Sequence, residues 1–191
     1  MKILLTGKNG QLGFELQRSL APLGEIVAVG HADCDLADAA ALRAMLQRVQ
    51  PDVVINPAAY TAVDKAESDR ATAFAVNADA PRILGEEAAR LGAMVIHFST
   101  DYVFGGDKTG PYSEIDAAEP RSVYGATKLA GELGLAEANP RHLVLRTSWV
   151  VGAHGGNFAK TMLRLAGERA RLSVVADQFG APTSAALLAD V

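Results

Sequence analysis

The sequence contains a single cysteine, Cys34. One thiol cannot build an internal disulfide framework, and its isolation fits a reducing compartment. Long hydrophobic runs are missing as well: no stretch approaches the roughly 20 apolar residues of a membrane span. The opening MKILLTG is charged and then apolar, but the run ends at a glycine, too short for a signal peptide. Neither sign of charge dominates. With 18 Lys and Arg against 22 Asp and Glu, the net charge is −4, so no basic face advertises nucleic acid or an anionic membrane. There is no internal repeat and no low-complexity tract. These absences lead to the expectation of a cytoplasmic globular protein with neither nucleic acid nor membrane as partner.

What is present is an alternation. At 191 residues the chain suits one domain with a real core. Short apolar runs at 2–6, 25–30, 52–58, 93–100 and 142–150 are each followed by an amphipathic segment, at 11–24, 39–50, 71–92, 123–138 and 157–170; a last apolar run occupies 171–177. Runs that are apolar on both faces predict strands of a parallel sheet covered on both sides. Their alternation with helices predicts βαβ units, hence an α/β fold with a doubly wound parallel sheet of Rossmann-like type. Ligands of such sheets bind beyond the carboxyl ends of the strands, so the residues just after each strand carry the information.

After the first strand comes TGKNGQLG, with Gly7, Gly10 and Gly13. Glycines at this spacing between a strand and a helix let backbone N–H groups approach a pyrophosphate, with the helix N-terminus facing the charge. The spacing is Gly-x-x-Gly-x-x-Gly, one residue longer in its first gap than the usual dinucleotide fingerprint. After the second strand, Gly30 and His31 stand where an enzyme selecting NAD often has an acid, and no arginine is present to grip a 2′-phosphate. Asp35 and Leu36 follow, suited to an adenine amino group and ring face; a helix cap is the plainer use of such an aspartate, and Asp38 could supply it instead. After the third strand, Ala58 and Ala59 allow close approach of a cofactor. Lys65, with Asp64, Glu67 and Asp69, reads as a solvated helix start, and Asn77 as a structural buried amide.

The fourth strand runs out into Ser99, Thr100 and Asp101, and the next helix opens with Tyr124 and Lys128. At i and i+4 the phenol and the ammonium share a helical face. A free tyrosine has a pKa near 10. An ammonium about 4 Å away is worth on the order of 4 kcal/mol at an effective dielectric of 20, before desolvation, or roughly three pKa units. The expectation is a tyrosine tuned downward, able to donate a proton to a developing alkoxide, with the Thr100 hydroxyl sharing that oxygen. Carbonyl reduction needs a hydride to carbon and a proton to oxygen; the glycine loop implies the first and the Thr–Tyr–Lys set the second.

With these residues in view, the sequence resembles the extended short-chain dehydrogenase/reductase family, and within it the branch of dTDP-4-dehydrorhamnose reductases. The likeness runs through LLTGKNGQLG, AAYTAVDKAES, FSTDYVF, YGATKLAGE, LRTSWVVG, NFAKTMLRLA and DQFGAPTS, essentially the whole chain. It implies NADPH or NADH as cofactor and a 4-keto-6-deoxy nucleotide sugar, dTDP-4-dehydro-L-rhamnose, as substrate. By resemblance Tyr124 is the proton donor, Lys128 lowers its pKa and holds the nicotinamide ribose, and Thr100 takes the place of the family's catalytic Ser/Thr. Thr100, Asp101 and Trp149 would face the sugar. Gly10, Gln11, Leu12, Asp35, Leu36, Ala59, Tyr60 and Thr61 fall on cofactor-contacting positions.

Two departures qualify the likeness. Relatives continue for roughly a hundred residues into a part that closes over the nucleotide sugar, whereas this chain stops at SAALLADV, in the opening turns of an apolar-patterned helix without a capping signal. The expectation is a nucleotide-binding domain over 1–191 with the substrate domain largely missing. Some family members also bind magnesium through glutamates at a dimer contact; Glu15 is present, but SAALLAD offers no glutamate nearby, so no metal is carried over, and a homodimer is left open. Competing readings are a non-catalytic relative, like the regulatory subunits of methionine adenosyltransferase that bind NADP, and a reductase of another 4-keto nucleotide sugar. Retention of Thr100, Tyr124 and Lys128 together favours an enzyme.

Overall fold

The computed structural model describes residues 1–191. Five parallel strands form the central sheet: β1 (Lys2–Leu5), β2 (Glu25–Ala28), β3 (Val53–Asn56), β4 (Met94–Thr100) and β5 (His142–Thr147), in the order β2-β1-β3-β4-β5. The chain leaves β1 for one edge, returns across β1 to β3, and then steps outward. The loops after β1 and β3 therefore part in opposite directions, and a crevice opens between them at the carboxyl edge. Helices α1 (Gln11–Leu20), α2 (Ala39–Val49), α5 (Ala80–Leu91) and α6 (Val123–Ala138) cover the two faces, with the short α3 (Val63–Ala66) and α4 (Arg70–Phe74) between β3 and α5. This is the α/β doubly wound architecture expected from the alternation.

Strand periodicity sorts the core into two layers. Ile3, Leu5, Ile55 and Phe98 point to one face and pack on Leu12, Leu16 and Leu20 of α1. Leu4, Val54 and Val95 point to the other and pack on Leu42 and Leu46 of α2, Leu84 of α5 and Leu135 of α6. A change such as Leu46→Ala in this layer would cost about 2–5 kcal/mol. Asp38 caps α2 through the N–H groups of Ala40 and Ala41 (both 3.0 Å), leaving Asp35 free of that task; Asp35 instead accepts from the Ala37 N–H at 2.9 Å.

The expected helix over 71–92 is one path with a π-helical turn at Ala75–Asp79 joining α4 to α5. The turn pushes the Asn77 carbonyl toward α6, where a Cβ on Gly131 would lie only 2.0 Å from that oxygen. Gly131 is what permits the approach.

Beyond β5 the chain departs from expectation. The run 142–150 divides into β5 and a two-residue strand β6 (Val150–Val151), which pairs with β7 (Thr183–Ser184) in a separate small sheet. The apolar run 171–177 is not a strand: it has no regular structure and is exposed throughout. The reason is the absence of cover. Helix α7 (Phe158–Glu168) buries none of its residues and leaves Phe158 and Leu163 exposed, so no layer exists against which a sixth strand would gain from burial. A last helix, α8 (Ala185–Asp190), packs on α1. No helix is long and apolar enough to cross a membrane.

Candidate active site

A cleft of about 920 Å³ lies at the crevice between β1 and β3. Gly7 opens its floor with φ +61°, a left-handed conformation that favours glycine. A Cβ on Gly13 would fall 2.0 Å from the Gly7 carbonyl oxygen, so the tight turn into α1 requires glycine there too. Gly10 is the N-cap of α1 and provides no side-chain acceptor. The N–H groups of Gln11, Leu12 and Gly13 thus face the cleft without helical partners, at the positive end of the helix.

Twelve residues singled out in the sequence as cofactor contacts line this one cleft: Gly7, Gly10, Gln11, Leu12, Gly13, Asp35, Leu36, Ala59, Tyr60, Thr61, Tyr124 and Lys128. Several are held by contacts the sequence does not display. Asn77 pins Tyr60 from both sides, accepting from its N–H (2.8 Å) and donating to its carbonyl (3.0 Å), while also donating to Thr127. The Gln11 amide donates to the Val150 carbonyl and accepts from Asn157, tying the glycine loop to the segment after β5. Gly155 and Gly156 from that segment close the cleft's far wall.

Helix α6 is fixed at its start by two caps. Ser122 accepts from the Gly125 N–H (3.0 Å), and Glu67 reaches across from the loop after α3 to accept from the Val123 N–H (2.8 Å). Glu67 is therefore more than part of a solvated acidic run; Lys65 and Asp69 do form an exposed pair. So anchored, the first turn of α6 brings Tyr124 against Thr100 at the end of β4. The Thr100 hydroxyl donates to Asp101 (3.1 Å) and accepts from the Tyr102 N–H (3.2 Å). Asp101 is half-buried, and that burial raises its pKa against the pull of Thr100.

The expected electrostatic pairing of Tyr124 with Lys128 is not formed. Lys128 is 1% exposed, and its Nζ donates to the Phe98 carbonyl (2.7 Å) and stands 3.1 Å from His97 Nε2. Burial lowers its pKa to about 8. Tyr124 moves the other way: burial raises its pKa, Asp101 and Tyr102 add to the rise, and the Thr100 hydroxyl opposes it. The i, i+4 spacing put both side chains on one face, but the buried lysine nitrogen turns to partners on β4.

A second groove adjoins the cleft, lined by Asp101, Tyr102, Phe104, Tyr112, Arg146 and Trp149 among others. Trp149 is held at φ +46°, strained for a side chain of its size, with its ring against Gly180. Thr100 lines neither hollow and is buried between them. Two buried hydroxyls lining the cleft, Ser99 Oγ and Thr147 Oγ1, have no hydrogen-bond partner. Unpaired polar atoms of this kind cost about 1–3 kcal/mol each, and their place at the ends of β4 and β5 marks where a polar ligand would satisfy them. Ser99 was visible in the sequence as a strand-end residue; nothing there distinguished Thr147.

Comparison with known proteins gives a consistent answer. The family model described as RmlD substrate binding domain matches residues 1–191. A dTDP-4-dehydrorhamnose reductase of Burkholderia thailandensis is 52% identical over 190 residues, covering 100% of this chain and 64% of the relative. Among solved structures, a dTDP-4-dehydrorhamnose reductase from Clostridium acetobutylicum matches with a TM-score of 0.94 at 43% identity, over 99% of this chain and 68% of that one. One from Bacillus anthracis, in complex with NADP, matches with a TM-score of 0.93 at 40% identity, over 98% and 67%. The chain spans 64% to 65% of the length of the first curated relatives it matches.

Proposed function

The chain belongs to the RmlD substrate binding domain family, and on that premise we propose that residues 1–191 form the nucleotide-binding domain of an NADPH- or NADH-dependent reductase that converts dTDP-4-dehydro-L-rhamnose to dTDP-L-rhamnose. The observation that carries the reading is the meeting of cleft and groove: Tyr124 lines the first, Asp101 and Trp149 the second, and Thr100 lies between.

The residues present fit a dinucleotide. The uncapped N-terminus of α1 and the glycine cradle suit a pyrophosphate. Asp35 and Leu36 line the same cleft and suit an adenine amino group and ring face, and Ser99 and Thr147 offer hydroxyls in need of partners. When bound, the nicotinamide supplies the hydride for the sugar's C4. The chain's own residues do the rest. Tyr124, protonated at neutral pH, gives its phenolic proton to the oxygen that was the ketone. Thr100 turns its hydroxyl from Asp101 to the same oxygen. Asp101 and Trp149 orient the sugar ring from the groove side, and Lys128 holds the nicotinamide ribose. Cytoplasmic location and a homodimer belong to the same reading.

The test has two arms. Calorimetric titration of this chain with NADPH and NADH is expected to show binding of both; no heat with either at millimolar concentration ends the reading. The chain, alone and joined to the remaining C-terminal part of the Burkholderia relative, is then given dTDP-4-dehydro-L-rhamnose. Loss of nicotinamide absorbance dependent on that sugar is expected from the joined protein; its absence there, with dinucleotide bound, would leave a non-catalytic binding protein.

A further inference from the structure

A row of buried polar side chains crosses beneath the cleft from β1 to α6. Thr6 Oγ1 donates to Asn56 Oδ1 (2.6 Å), Asn56 Nδ2 stands 3.1 Å from His97 Nδ1, and His97 Nε2 stands 3.1 Å from Lys128 Nζ. None of the four is more than 1% exposed. Such a row is costly to bury unless every member is bonded.

The bonding rules allow two complete arrangements. An amide nitrogen donates only, and so does an ammonium. With the Asn56 oxygen facing Thr6, the amide nitrogen faces His97, so His97 Nδ1 must accept. A neutral imidazole then carries its proton on Nε2 and donates to Lys128, whose nitrogen accepts only as a neutral amine. In the reverse arrangement Lys128 is an ammonium and donates to Nε2. The imidazole proton then sits on Nδ1, the Asn56 amide turns to present its oxygen, and its nitrogen donates to Thr6 Oγ1. The Thr6 hydroxyl hydrogen is released to another acceptor. An ammonium facing Nε2–H would set two donors face to face, and a neutral amine donating to a bare Nε2 would leave its own lone pair buried without a partner. An imidazolium is disfavoured in both, because burial and the neighbouring Lys128 hold the His97 pKa well below its usual value.

We propose that Thr6, Asn56 and His97 form a two-position hydrogen-bond switch that follows the proton on Lys128, with His97 as the positioning residue that tunes the lysine through its tautomer. The titratable groups around Lys128 are few. His97 faces it from β4. Tyr124 and Glu132 lie one turn away on α6, and Glu132 is itself paired with Arg146 of β5. From β3 comes only the neutral Asn56. Thr6 lines the cleft, so its hydroxyl hydrogen becomes available there only when Lys128 is charged. That last consequence rests on the dinucleotide reading; the switch itself does not.

The experiment is nuclear magnetic resonance on this chain labelled with ¹⁵N in histidine and lysine, over a pH range spanning the Lys128 pKa of about 8. His97 is expected to remain neutral, its ring proton moving from Nδ1 at low pH to Nε2 at high pH, at the midpoint where Lys128 loses its proton. A fixed tautomer while Lys128 titrates overturns the proposal, as does formation of imidazolium before Lys128 loses its proton. The readout needs neither cofactor nor turnover, so the switch and the proposed activity fail separately.

Discussion

The side-chain nitrogen of Lys128 and the carbonyl oxygen of Phe98 are 2.7 Å apart in the interior, and this bond orients the lysine toward β4. Its second partner is His97, so neither of its hydrogen bonds goes to Tyr124. The phenol is left to its surroundings, and these raise its pKa. A raised pKa keeps the proton on at neutral pH, which suits a general acid. The role proposed for Tyr124 as proton donor therefore does not require direct pairing with Lys128.

Tyr124→Phe keeps the ring and removes only the proton. Dinucleotide affinity is expected to stay nearly unchanged, while turnover by the joined protein falls about 10²- to 10⁴-fold, in kcat. A Tyr124→Phe enzyme reducing dTDP-4-dehydro-L-rhamnose at the unmodified rate would remove the phenol from the mechanism.

Lys128 links stability to pH. Unfolded, it titrates near 10.5; folded, at about 8. Between those values the unfolded chain holds a proton that the folded chain lacks, so stability rises with pH across that window. Below it the cost of the buried charge is full. Lys128→Met has no such group. The unfolding free energy of the unmodified chain, relative to Lys128→Met, should therefore increase by on the order of 3 kcal/mol across the window. Urea denaturation of both proteins at several pH values measures it, and parallel profiles would contradict the buried lysine's role.

The parts of the fold legible in the sequence were those set by local pattern. The alternation located five sheet strands and the main helices because each buries a face with its own period. The segment expected over 123–138 has the bounds of helix α6, and in the structure Ser122 caps its start and Asn139 its end. The run 171–177 misled because an apolar run implies a strand only where something covers it. In the site, the residues picked out by glycine spacing and strand-end position as cofactor contacts line one cleft, while Asp101 and Trp149 line the adjoining groove and Thr100 neither. What stayed hidden was long-range: Glu67 capping a helix 56 positions away, and His97 meeting Asn56 and Lys128 across three elements. No local pattern distinguishes His97 from an ordinary strand residue.

Two glycines separate close packing from mere permissiveness. At Gly131 an added Cβ would lie 2.0 Å from the Asn77 backbone oxygen, which cannot rotate aside. Gly131→Ala must push α6 from the π-helical turn and loosen Asn77, which holds Tyr60; a loss of about 1–3 kcal/mol is expected. At Gly167 in α7 nothing lies within 4 Å, so Gly167→Ala should stabilise by about 0.4–1 kcal/mol through the unfolded state. Thermal melts showing equal effects at the two positions would refute the contrast.

Cofactor choice turns on a pair that the linear sequence separates. Gly30 and His31 offer no charge for or against a 2′-phosphate, but folding returns Asp33 to this place. Its carboxylate accepts from the Gly30 N–H (2.8 Å) and pairs with Lys8 of the glycine loop (2.7 Å). A ribose 2′-hydroxyl would find an acceptor in Asp33; a 2′-phosphate would find a cation in Lys8, against repulsion from Asp33. The opposing contributions predict that NADH and NADPH bind within about a hundredfold of each other, roughly 2.7 kcal/mol. Both side chains are partly exposed, so each contributes modestly. Lys8→Met should weaken NADPH relative to NADH by roughly three- to tenfold, and Asp33→Asn should shift the ratio the other way by a similar factor. Calorimetry with both dinucleotides on both variants decides it. Shifts of the same sign, or none, would mean that the pair only staples the glycine loop to the end of β2.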